Sequence, residues 1–314
     1  MNHETVELLR TAREAIRQQD FVLAINVLEQ LVAHTRADGD TEAEARHLGS
    51  LALLYNRLGM SDEALEYLTH ALELARANGD RISEGGVLGN IGNILRETGQ
   101  YDAAIHHLNQ ALVVAQASGD MRGRGIWLSN LALVYDETGK PEDAVELHEQ
   151  SVKIARDLRD QRGLAQRLGN LANTLISLGQ ILQALDHMVE AIDIYRTLGD
   201  ESALVLWLTV MGSIYAELGR VVQGETRRKS YFVQALSLYR EALRLVREGG
   251  DPITEANILR GMGDAYGNMA NYDEAIASYV SAVKLYADMG MVDQVGPLRD
   301  NIDVARRLRD READ

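Results

Sequence analysis

The chain of 314 residues is 46% hydrophobic and 25% charged, with a formal charge of −15. That balance belongs to a folded protein with a solvated acidic surface, and it argues against nucleic acid, whose phosphates are met by Lys and Arg. Cysteine is absent, which excludes disulfides, thiolate nucleophiles and Cys-based zinc sites and suits a reducing compartment.

The N-terminal stretch MNHETVELLR TAREAIRQQD has no apolar segment of the kind that directs secretion, so a cytoplasmic location is expected. Internal repetition then organises everything that follows. Gly-Asp recurs at Gly39-Asp40, Gly79-Asp80, Gly119-Asp120 and Gly199-Asp200, with Arg159-Asp160 in the slot between. Ala64, Ala104, Ala144 and Ala184 each stand five residues beyond Gly59, Gly99, Gly139 and Gly179. Ala24 begins this column, with Gln19 in the place of its glycine. After Gly219 the register slips by 11 residues and resumes at Ala235, Gly250-Asp251, Ala275 and Gly290. A 40-residue period therefore yields a single array of seven copies over 1–40, 41–80, 81–120, 121–160, 161–200, 201–251 and 252–291. The sixth carries an insertion near 220–232, and a tail follows over 292–314.

Each copy reads as two helices. In the third, Val87, Leu88, Ile91, Ile94 and Leu95 follow helical spacing up to Gly99. A second helix with Ala104, Ile105, Leu108, Ala111, Leu112 and Ala115 then runs to Gly119. Asp40, Asp80, Asp120, Asp160, Asp200 and Asp251 stand where a side-chain oxygen caps the following helix. Pro141 and Pro252 fall in first turns, where a missing N–H costs nothing. Ala52, Gly92, Ala132, Ala172, Gly212 and Gly263 form a small-residue column that lets each paired helix come close. In the sixth copy the run ALVLWLTVMG SIYA, Ala203 to Ala216, is apolar nearly all round but shorter than the roughly 20 residues that span a bilayer. Something must cover both its faces: a ligand, a second subunit or the chain's own insertion. The insertion, RVVQGETRRKSYF, is expected to be an exposed basic loop, with a helix extension as the rival. In the tail, Leu298, Ile302, Val304 and Leu308 predict a terminal capping helix.

These columns resemble the tetratricopeptide repeat, whose signature maps onto Leu128, Leu131-Ala132, Tyr135, Ala144, His148 and Ser151. Leu108-Ala111, Tyr239-Ala242 and Tyr279-Ala282 match its end in other copies. The period is longer than the usual ~34 residues and is similar to that of kinesin light chains and Pins-type adaptors, over residues 2–286. HEAT repeats share the period without this Gly-to-Ala spacing. The resemblance implies an all-α α-solenoid, a right-handed superhelix of seven helical hairpins plus a C-terminal capping helix.

No catalytic constellation is present in the sequence. The histidines at 3, 34, 47, 70, 106, 107, 148 and 187 form no HExxH-type pair, so no metal or other cofactor is expected. GMGDAYG, Gly261 to Gly267, lies within a predicted helix with no strand before it, which discounts a phosphate loop. Trp127 and Trp207 hold equivalent positions and read as core.

The polar positions are more informative. Asn90, Asn130 and Asn170 share one position of the first helix, and Asn93 and Asn173 lie three residues on, near the same face. Relative to the packing columns this is the face that the resemblance turns toward a concave groove. Asn offers both donor and acceptor and so suits the backbone of a bound peptide, as related adaptors use it; the rival is hydrogen bonding between adjacent helices. Arg57 and Arg96 share this wall with Arg46, Arg260, Asp136, Glu137, Glu217 and Asp264, and Ile126, Leu133, Leu206 and Val210 give it an apolar part. The expected function is a non-catalytic adaptor that binds a peptide segment or helix of a partner protein in that groove, with no nucleic acid or membrane partner. A ligand-responsive sensor module, binding a peptide or small molecule, and a self-associating scaffold are the alternatives.

Overall fold

A computed structural model describes residues 3–313, so Asn2, where the resemblance begins, lies outside them. The described residues are all-α, with fifteen helices and no strand. They run α1 (His3–Arg17), α2 (Phe21–Asp38), α3 (Thr41–Arg57), α4 (Ser61–Ala77), α5 (Arg81–Glu97), α6 (Tyr101–Ser118), α7 (Met121–Glu137) and α8 (Pro141–Asp157). They continue with α9 (Gln161–Ser177), α10 (Ile181–Leu198), α11 (Glu201–Val221), α12 (Glu225–Gly249), α13 (Pro252–Asn268), α14 (Tyr272–Asp288) and α15 (Val292–Ala313). The odd-numbered helices up to α13 open hairpins, and stacked hairpins are the construction of an α-solenoid.

The helix ends follow from the residues placed there. Asp40, Asp80, Asp120, Asp160 and Asp200 each accept a hydrogen bond from the backbone N–H three residues on, at 2.8–3.2 Å. Asp251 caps α13 through Ile253 and Thr254, and Asp20, absent from the repeat column, caps α2 through Leu23. The left-handed turn between helices of a pair is made by glycine in most copies, as at Gly99 with φ 75°. Gln19 and Ala270 hold the same turn at φ 60° and 61° in the copies that lack the glycine, and Arg159 replaces glycine at φ 54° in the turn between two hairpins, a conformation that costs a side-chain-bearing residue energy.

Close approach within a hairpin rests on the small-residue column. A β-carbon on Gly92 would lie 2.7 Å from Leu108 Cγ, one on Gly212 2.8 Å from the Tyr239 ring and one on Gly263 2.5 Å from the Tyr279 ring. Ala52, Ala132 and Ala172 hold this position fully buried. Trp127 and Trp207 are also core residues.

The chain divides into two compact units, residues 1–184 and 185–314. In the first, one apolar core runs from Ala12 to Val134 and includes Leu31, Leu48, Leu68, Leu88 and Leu108. Its first helices touch one another directly, α3 with α5, α5 with α7 and α7 with α9. Among the described residues no comparable contact joins α2, α4, α6 and α8 to one another, so the first helices line the shorter wall of this unit. In the second unit α11 and α13 touch in the same way. Ion pairs tie the end of one hairpin to the start of the next: Arg36–Glu44 at 2.8 Å, Arg76–Glu84 at 2.9 Å and Arg247–Glu255 at 2.7 Å.

Three expectations are corrected. The insertion is not a loop: only residues 222–224 fall outside helix. Helices α11 and α12 have 21 and 25 residues against 17 and 18 in α5 and α6. These additions are about one and two helical turns at 3.6 residues each, so the apolar stripes stay in phase as the hairpin lengthens. The lengthening also makes α11 long and apolar enough to cross a membrane by length and composition. Its Leu204, Val205, Trp207 and Leu208 are nevertheless buried, in a helix packed on α12 and α13. At the C-terminus α15 packs on α14 and buries Leu298, Ile302 and Ala305, whereas Val304 and Leu308 are exposed.

Candidate interaction surface

Buried positions on the first helices leave one accessible stripe with a spacing of four, three and four residues. It comprises Gly86, Asn90, Asn93 and Glu97 on α5, Ile126, Asn130, Leu133 and Glu137 on α7, and Gln166, Asn170, Asn173 and Ser177 on α9. Because these helices touch their successors, the stripes lie side by side within the first unit.

The five asparagines are not equivalent. Asn170 Nδ2 donates to Ser129 Oγ at 3.3 Å, stitching α9 to α7. Asn93 donates to Glu97 at 2.8 Å and accepts from Arg96 at 3.3 and 3.2 Å. Arg96 pairs with Glu137 on α7, and Asn56 on α3 donates to Glu97 at 2.8 Å. One polar network thus crosses three first helices, with the single cation of Arg96 shared between the carboxylates of Glu97 and Glu137. Arg57 lies over the Phe21 ring at 4.7 Å, a contact that holds the cation beside α2.

Asn90 and Asn130 make no side-chain hydrogen bond, and both are half-buried; Asn173 is exposed and likewise unpaired. Ile126 and the half-buried Leu133 stand beside Asn130 on α7. The groups left unengaged are therefore neutral amides flanked by apolar side chains. In the second unit Leu206 is exposed at a cleft formed by α11, α12 and α13, and Val210 is half-buried one turn further on.

Asp136 departs from the expected groove wall. Its Oδ2 accepts from Thr174 Oγ1 at 2.8 Å and lies 3.1 Å from Nε2 of the fully buried His148, so it links α7, α8 and α9. Burial, with Arg46 nearby, pulls the His47 pKa below its ordinary value, and burial with His106 does the same for His107. Among the described residues no group of three His, Cys, Asp or Glu is placed to hold a metal. Nothing in the sequence spacing marks the Asp136–His148 pair, since its members belong to different helices and different columns.

Models of the tetratricopeptide repeat match residues 48–82, 84–157, 164–199 and 261–289. The lengthened α11–α12 hairpin lies in the gap before the last match. No curated protein matches the chain significantly. Among solved structures, the apo form of RapI aligns over 98% of this chain and 99% of its own, with 13% identity and a TM-score of 0.62. The apo quorum sensor NprR from B. thuringiensis aligns over 90% and 76%, with 16% identity and a TM-score of 0.61. BtubC (BKLC) from P. vanneervenii aligns over 72% and 91%, with 21% identity and a TM-score of 0.58. At these identities the likeness is one of fold.

Proposed function

Because the chain belongs to the tetratricopeptide-repeat family, whose repeats build protein-interaction modules, we propose that it is a non-catalytic adaptor. It holds an extended segment of a partner protein along the accessible stripe of its first helices. One observation carries this reading: Asn90 and Asn130, equivalent positions on touching helices, keep both the donor and the acceptor of their amides unengaged. A leucine column with polar interruptions that bonded only within the protein would have no use for them. A peptide unit presents the complementary pair of groups, and Ile126 and Leu133 offer apolar contact to its side chains. The charged members of the stripe are already paired, so recognition falls to neutral groups. A cytoplasmic setting is consistent with the lack of cysteine.

The test is to crosslink partners to the full chain, identify the captured segment by mass spectrometry and titrate it as a synthetic peptide. Asn90→Ala with Asn130→Ala removes at least two hydrogen bonds of about 1 kcal/mol each, which should weaken binding by at least about 30-fold. The melting temperature should stay within a degree or two of wild type. Unchanged affinity would remove the amides from the site.

A further inference from the structure

The cleft in the second unit has a volume of about 380 Å³ and lies between the start of α11, the end of α12 and the start of α13. Val205, Leu206, Leu245 and Val246 make its apolar wall, and Leu206 is 57% exposed there. Such a volume, at the small end of ligand sites, takes one or two residues of a peptide.

Across the cleft stands Asn257, and its carboxamide is already turned. Oδ1 accepts a 2.8 Å hydrogen bond from the hydroxyl of Tyr286, a side chain only 1% exposed. Nδ2 has no partner within the protein. Asn90 and Asn130 can present either end of the amide; Asn257 presents donors alone and so asks for a carbonyl oxygen. The rim is acidic, with Glu201 and Asp251. Thr254, through its hydroxyl and N–H, holds the Asp251 carboxyl below its ordinary range and therefore ionised. The negative pole of α12 at Gly249 is offset by the positive poles at the starts of α11 and α13, so the acidity of the rim rests on the Glu201 and Asp251 carboxylates. Arg247, in the last turns of α12, is engaged by Glu255 at 2.7 Å, and Arg260, one turn beyond Asn257, reaches Gln294 at 3.4 Å.

We propose that this cleft is a subsite for a peptide carrying an apolar side chain next to a basic one. The apolar side chain rests on Leu206 and Val246, a main-chain carbonyl accepts from Asn257 Nδ2, and the basic group lies at the Glu201–Asp251 rim. The inference rests on the peptide-binding reading above and gives it a sequence preference.

The experiment selects linear peptides from a phage-displayed library on the immobilised full chain. The enriched sequences are then titrated as capped synthetic hexapeptides. Apolar–basic dyads should dominate. Leu206→Lys, a change at an exposed position, should weaken them at least tenfold and Asn257→Ala about fivefold. Tyr286→Phe, which frees the Asn257 amide to turn, should weaken them about threefold, beyond any change that its melting temperature explains. Three results overturn the inference: no enriched peptide, enrichment of apolar–acidic dyads, or affinities unmoved by Leu206→Lys and Asn257→Ala. If peptides insensitive to those changes weaken with Asn90→Ala and Asn130→Ala, the groove reading stands and only the cleft assignment fails. The crosslinking experiment judges the groove reading independently.

Discussion

A β-carbon placed on Gly89 would sit 2.3 Å from the Trp127 ring, so α5 and α7 can meet as they do only over a bare α-carbon. Gly49 holds the equivalent position in α3, and a β-carbon there meets nothing within 4 Å. The two glycines should therefore respond oppositely to alanine. Gly89→Ala overpacks the contact and should cost about 1–3 kcal/mol. Gly49→Ala removes only the helix penalty of glycine and should stabilise by up to about 1 kcal/mol. Urea unfolding of both variants decides it, and similar shifts would mean that Trp127 yields. At this scale the sequence was half legible. It placed five asparagines on one face through helical spacing alone. Which amides are already spoken for depends on Ser129, Glu97 and Arg96, and, for Asn257, on Tyr286, 29 residues away. Such partners are brought together by packing, and no local pattern announces them.

Between hairpins, the joints are ionic as well as apolar. Arg36–Glu44, Arg76–Glu84 and Arg247–Glu255 each join residues eight apart across a helix-to-helix turn. Burial drives the Glu84 carboxyl upward, but hydrogen bonds and charge from Arg76 and Arg81 outweigh it and hold the group below its ordinary value of 4.5. A carboxyl whose folded pKa is depressed stabilises fully above its unfolded value and loses that contribution as pH falls through the folded one. Glu84→Gln should thus cost about 1.5–3 kcal/mol at pH 7, the range for a hydrogen bond to a charged group, and much less at pH 3. Urea midpoints at both pH values test this, and an equal loss at each would mean that the pair acts by packing alone. The elements themselves were the most legible part. Asp caps and turn glycines mark nearly every boundary because one residue suffices to set each. The insertion misled because Gly224 reads as a loop signal, whereas its flanks, rich in Arg, Glu and Lys, simply prolong both helices.

At the scale of the whole molecule, the substantial contacts described within each unit join helices one or two steps apart in the chain. The last helix has a neighbour on one side, and it covers apolar surface of α14 with Leu298 and Ile302. Ending the chain after Met291 should expose that surface, lower the melting temperature and promote aggregation measurable by light scattering; a monodisperse product with unchanged melting would deny α15 a capping role. The nearest-neighbour pattern also bears on how the chain gains and loses its structure. Among the described residues of each unit no helix waits for a distant partner, so little loop-closure entropy opposes assembly, and hairpin pairs within a unit can nucleate growth in either direction. Damage should stay as local as growth. In Gly263→Val, whose β-carbon would collide with Tyr279 at 2.5 Å, hydrogen exchange should quicken across α13, α14 and α15. Amides of α3 to α6 should keep wild-type rates. The native state would then open by segments, each with its own free energy, and a single midpoint of unfolding would average over them.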